Sequence, residues 1–118
     1  MTEPLCLDAT VLADIRALSG PGEDLLAEVV KLFVADVPDQ LVTLRAALDA
    51  RDAVAARRIA HRLKGSALAT GARRLAAACA SVEDAAREGD VDRAAAAAAT
   101  LDDEFRAVRA ALERELHP

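Results

Sequence analysis

Seven apolar residues, Leu26, Val30, Phe33, Val37, Leu41, Leu44 and Leu48, recur at spacings of 4-3-4-4-3-4. That alternation keeps all of them on one face of an α-helix. The stripe passes through Pro38 without losing register, so it predicts one kinked helix from about Glu23 to Ala50 rather than two. A second stripe, Val91, Ala94, Ala98, Leu101, Phe105, Val108 and Leu112, predicts a single helix from about Val91 to Leu116. Two more helices fit between them. One runs from about Ala53 to Ala69 with Ala56, Ile59 or Ala60, Leu63 and Ala67 as its core side. The other runs from about Ala72 to Glu88 with Leu75, Cys79, Val82 and Ala86 inward.

A shorter first helix is expected from about Asp8 to Leu18, with Asp8 as N-cap and Val11, Leu12, Ile15 and Leu18 as its apolar side. Punctuation separates the elements: Ser19-Gly20-Pro21-Gly22, a turn over Asp49 to Asp52, Thr70-Gly71, and Gly89-Asp90. No run alternates in the manner of a strand. Long helices joined by such short turns must be antiparallel neighbours. The expected architecture is all-α: an antiparallel up-down four-helix bundle with a short N-terminal capping helix. It should form one domain over residues 1–118.

Composition supports that reading and removes several functions. Alanine, the best helix former, is abundant, with an unbroken run from Ala94 to Ala99. Cys6 and Cys79 cannot make a multi-bridge framework, and no Cys/His spacing resembles a zinc site. Cys79 lies on an apolar stripe and is expected to be a small buried residue. The N-terminus lacks a basic start followed by an apolar run, and no stretch approaches a membrane span, so a cytoplasmic protein is expected. A start at Met1 and an end close to the last helix favour a free-standing protein.

The net charge of −5 hides an asymmetry. From Arg51 to Arg74 there are seven basic residues and one acid; the remainder carries eight basic and nineteen acidic residues. A basic region on an acidic body suits a small anionic site on a partner protein. Phe33 and Phe105 are the only aromatic residues, which argues against nucleic-acid binding.

The chemistry sits in Ala60-His61-Arg62-Leu63-Lys64-Gly65-Ser66. In a helix, His61, Lys64 and Gly65 occupy i, i+3 and i+4 and share a face, opposite the core residues and in line with Arg57 and Leu68. A neutral imidazole is a nucleophile near physiological pH. An ammonium one turn away can neutralise phosphoryl oxygens. A glycine in a helix interior costs about 1 kcal/mol relative to alanine, which suggests a positive reason for open space beside the ring. A lone exposed histidine is most often an ordinary surface residue, and a mid-helix glycine often serves close packing. The joint pattern is what points to a phosphoryl-accepting site.

The segment Ala60 to Gly71, AHRLKGSALATG, resembles the core motif of histidine-containing phosphotransfer (HPt) domains. The resemblance extends to Phe33, to Cys79 and Glu83, and to Gly89-Asp90, and covers essentially the whole chain. It implies the same capped bundle, with His61 as phosphoacceptor, Lys64 stabilising the phosphoryl group and Gly65 giving a partner access. Ser66 matches the small polar residue after that glycine. Some relatives carry a glutamine at position 83 that hydrogen-bonds near the site; the ionised Glu83 here could not donate that bond and would repel a nearby phosphate.

Implied partners are response-regulator receiver domains and a hybrid histidine kinase, with the receiver supplying Mg²⁺, so that the chain, a monomer, needs no cofactor or metal of its own. It lacks ATP-binding motifs and cannot itself be a kinase. Arg57, Arg58, Arg62, Ser66 and Leu68 are the candidate docking residues. Two competing functions remain at this level. One is a helical adaptor that binds a receiver or kinase without carrying phosphate. The other is a metal- or cofactor-binding bundle, which would need inward Glu/His ligands on several helices.

Overall fold

The computed structural model describes residues 6–117, and every regular element among them is helical. The order is α1 (Ala9–Ala17), α2 (Leu25–Asp49), α3 (Ala53–Ala69), α4 (Arg73–Arg87), α5 (Val91–Ala98) and α6 (Leu101–Leu116). Pro38 sits inside a continuous α2 and on its exposed side. Water can therefore satisfy the carbonyl that its missing N–H leaves free.

Three turns share one construction. After α2, Arg51 adopts φ 57° and the Asp52 N–H donates to Ala47 O. After α3, Gly71 has φ +75° and the Ala72 N–H donates to Ala67 O. After α4, Gly89 has φ +75° and the Asp90 N–H donates to Ala85 O. Each is a Schellman closure, with the left-handed residue immediately past the helix cap. The residue that closes it starts the next helix: Asp52 and Asp90 accept from the backbone N–H of Ala55 and Arg93, three residues on. One residue thus ends one helix and begins another, which forces the tight reversals.

With these reversals α3 packs against α2 and α4, α4 against α5 and α6, and α2 against α1, α5 and α6. The inward stripes meet in a continuous core whose largest fully buried side chains include Leu44, Leu63, Leu75, Leu101 and Leu112. Each fully buried leucine contributes about 1.5–3 kcal/mol. Phe33 of α2 and Phe105 of α6 touch with ring centroids 5.7 Å apart. On α3 the core positions are Ala56, Ala60, Leu63 and Ala67, with Ile59 only half-buried.

The short α1 lies across the end that carries the α3–α4 turn. The Asp8 N–H donates to Gly71 O at 2.7 Å, and Arg16 pairs with Glu115 at the end of α6. A Cβ on Gly71 would come within 3.1 Å of Asp8 O, so this glycine serves both the turn and the docking of α1.

Two expectations need correction. The last helix is not single: the chain tightens over Ala99-Thr100, where the Ala99 N–H donates to Ala96 O and Thr100 Oγ1 donates to Ala97 O. A threonine hydroxyl that takes a backbone carbonyl loosens a helix. Asp102, Asp103 and Glu104 then complement the start of α6. The apolar stripe survives because α6 resumes in nearly the same register. Leu18 does not join the apolar side of α1; it is the C-cap and is 76% exposed, since the chain turns away after Ala17. No helix among the described residues is long and apolar enough to cross a membrane.

Candidate functional site

His61, Lys64 and Gly65 emerge together midway along α3, and α4 completes their surroundings. The His61 side chain is 69% exposed, yet its Nδ1 lies 2.8 Å from Glu83 Oε2 on α4. Glu83 itself is 3% exposed. Lys64 Nζ contacts Glu83 Oε1 at 2.7 Å, and Arg87 reaches Glu83 Oε2 at 3.2 Å and Asp84 at 3.1 Å. Both carboxylate oxygens are thus engaged by cations or potential cations. The Lys64 ammonium is the main influence holding the Glu83 carboxyl below the usual glutamate range, with the His61 hydrogen bond adding to it and burial acting the other way. An ionised Glu83 can only accept, so Nδ1 must carry the proton. In the neutral ring that leaves the lone pair on Nε2, at the outer side of the imidazole.

The expected repulsion between Glu83 and a phosphoryl group is therefore removed at its source: the carboxylate is neutralised by its neighbours and faces the other ring nitrogen. Lys64 is intermediate in exposure, at 29% for its side chain. Its ammonium now belongs to Glu83, one turn from the ring it would have to serve. Gly65 is exposed, and a Cβ built there meets nothing among the described residues within 4 Å. Close packing among those residues does not explain this glycine.

One cavity opens beside the ring and a second lies between α2 and α3. Toward α4 a cavity of about 410 Å³ is lined by Val54, Arg57, Arg58, His61, Glu83 and Arg87. Toward α2 a more apolar cavity of about 390 Å³ is lined by residues that include Leu32, Phe33, Val37, Ser66 and Ala69. Leu68 is exposed on the same face as His61, and Arg62 is exposed outside both cavities. Most arginines of the chain hold a carboxylate, among them Arg16, Arg51, Arg74 and Arg109. Arg57, Arg58 and Arg62 hold none among the described residues. Cys79, one turn before Glu83, is fully buried, and burial first and Glu83 second push its thiol up to about 12. Among the described residues no group of three or more His, Cys, Asp or Glu is placed to hold a metal ion.

Sequence reasoning missed the roles of Glu83 and Arg87. A signal was present: Glu83 stands at i+4 from Cys79 and i−3 from Ala86, on the inward stripe of α4. A carboxylate there must find cations, and Arg87 one turn on is an i,i+4 partner.

An exposed imidazole nitrogen on a helix, steadied from behind by a buried carboxylate and facing open space, has the geometry a helical phosphoryl carrier needs. The Hpt domain family profile matches residues 28–111. The fold is similar to that of the histidine-containing phosphotransfer protein B (HptB) of Pseudomonas aeruginosa PAO1, with a TM-score of 0.86, 34% identity and 96% of each chain covered. It is also similar to the histidine-containing phosphotransfer protein ZmHP2 of maize, with a TM-score of 0.77, 26% identity, and 94% of this chain and 87% of that one covered. No curated protein matches by sequence. The chain belongs to the Hpt domain family, and its role is histidine phosphotransfer within a phosphorelay.

Proposed function

We propose that His61 is the residue that carries the phosphoryl group. Nε2 attacks the phosphorus of an aspartyl phosphate on a receiver domain; the P–O bond to the aspartate breaks and its carboxylate leaves. The new N–P bond gives a cationic ring whose proton stays on Nδ1, where Glu83 accepts it at 2.8 Å. Transfer onward reverses these steps with the aspartate of another receiver. The observation that supports this reading above all is the exposed ring tied at Nδ1 to a buried, ionised carboxylate, because it selects and orients the outer nitrogen.

Lys64 exchanges Glu83 for the phosphoryl oxygens as charge develops, and Gly65 leaves room for the receiver's active site. The receiver brings the acidic pocket and Mg²⁺. It docks around His61 on Arg57, Arg58, Arg62, Ser66 and Leu68: the arginines steer, and Leu68 gives an apolar contact. The ring of helices serves this as an antiparallel four-helix bundle, with α5 and α6 sharing one position and α1 as its cap. The whole chain acts as one domain, as a cytoplasmic monomer.

The test is incubation with a phosphorylated receiver domain. Wild type takes up acid-labile phosphate, a folded His61→Gln protein takes up none, and Lys64→Ala takes it up more slowly. Normal labelling of His61→Gln refutes the assignment. Receiver binding with no acid-labile phosphate on wild type would make the chain an adaptor.

A further inference from the structure

We propose that the cleft between α3 and α4 receives an acidic side chain of the docking receiver, and that this contact selects which receivers exchange phosphate with the chain. The inference rests on the phosphotransfer reading above and adds to it a division of labour between the α3–α4 cleft and the α2–α3 face.

The α3–α4 cleft is cationic beyond its own needs. Its single carboxylate, Glu83, is already held by Lys64, His61 and Arg87. Arg57 and Arg58 line the same cavity with no carboxylate of their own among the described residues. Three guanidiniums around one cavity set up a positive potential there, which a partner's carboxylate would complement. Guanidiniums also suit carboxylates geometrically, through paired N–H donors. Val54, 73% exposed at this cleft, offers an apolar surface for the methylene stem of Asp or Glu.

The α2–α3 side differs. Its cavity is mostly apolar, and Asp36 is its one charged lining residue. Apolar burial there gives affinity with little discrimination, whereas the charge pairing in the α3–α4 cleft rewards one arrangement of acids and rejects a basic residue. The cavity opens directly beside His61, so the contact forms only when the receiver's own site is near the ring.

The experiment uses the full chain and purified receiver domains of its organism, each phosphorylated and offered as donor over a range of concentrations. Arg57 and Arg58 are exposed, so their variants keep the fold. For the preferred receiver, the double variant Arg57→Ala/Arg58→Ala should raise the half-saturating concentration about tenfold or more and flatten its salt dependence. The rate at saturation should stay within about twofold, because the chemistry at Nε2 is untouched. Arg57→Glu/Arg58→Glu should lose transfer from that receiver and regain it when one of the receiver's surface acids becomes arginine. An unchanged half-saturating concentration, an equal loss for every receiver, or the absence of any rescuing position would overturn the proposal. These outcomes leave the role of His61 intact, which His61→Gln tests separately.

Discussion

Glu83 decides what His61 can do. A histidine at 69% exposure would ordinarily sample both neutral tautomers and many rotamers, but a buried carboxylate 2.8 Å from Nδ1 restricts both. Glu83→Ala should therefore remove the preference for a protonated Nδ1, which the ¹⁵N shifts of the ring will show. Transfer from a phosphorylated receiver should fall about 10- to 100-fold, by analogy with losing the carboxylate that orients a metal-bound histidine. A Glu83→Ala protein with the wild-type tautomer and rate would remove Glu83 from the mechanism. The motif around His61 was legible in the sequence because its spacing lies within one helix. The carboxylate behind it was not, because residue 83 reaches residue 61 across 22 positions of chain.

At the scale of elements, the reversals do more than the helices to build the site, since they lay α4 beside α3 and bring Glu83 and Arg87 to His61. Two of the three Schellman closures use glycine at the left-handed position; the α2–α3 turn uses Arg51 at φ 57°. A side chain there costs about 1 kcal/mol relative to glycine. The Arg51–Asp92 ion pair offsets little, since both partners are more than half exposed and such pairs contribute about 0–1 kcal/mol. Arg51→Gly should thus stabilise the fold by a few tenths to about 1 kcal/mol, read from urea unfolding midpoints at equal slope. A loss of stability would show that the ion pair outweighs the backbone strain. Helix limits were legible wherever a cap residue stood beside a glycine, as at Gly89-Asp90. The break at Ala99-Thr100 was hidden because the apolar stripe runs through it, although Thr100 followed by three acids is a start signal.

The molecule as a whole should be stable over a pH plateau to whose edges two neighbouring residues of α4 contribute. Glu83 has a lowered folded-state pKa, so its contribution is complete above the ordinary glutamate value of 4.5 and is lost as pH falls through the lower folded value. Cys79 is raised from 9.0 to about 12, so the unfolded chain ionises first and stability declines as pH climbs from 9.0 toward 12. Thermal unfolding across pH should show Glu83→Gln with a weaker acid slope and Cys79→Ala with a weaker alkaline slope; unchanged slopes would contradict these assignments. The sequence by itself determined the all-helical class, most helix limits and inward faces, and the placing of His61, Lys64 and Gly65 on one helix, because a period of 3.6 residues and local caps are properties of neighbours along the chain. Only the tertiary structure decided that Gly65 faces open space among the described residues, that Lys64 and Arg87 neutralise Glu83, and that arginines with no carboxylate among the described residues line the cavity beside the ring. Those outcomes depend on how closely two helices approach and which side chains meet between them, and no spacing within a single helix encodes that distance.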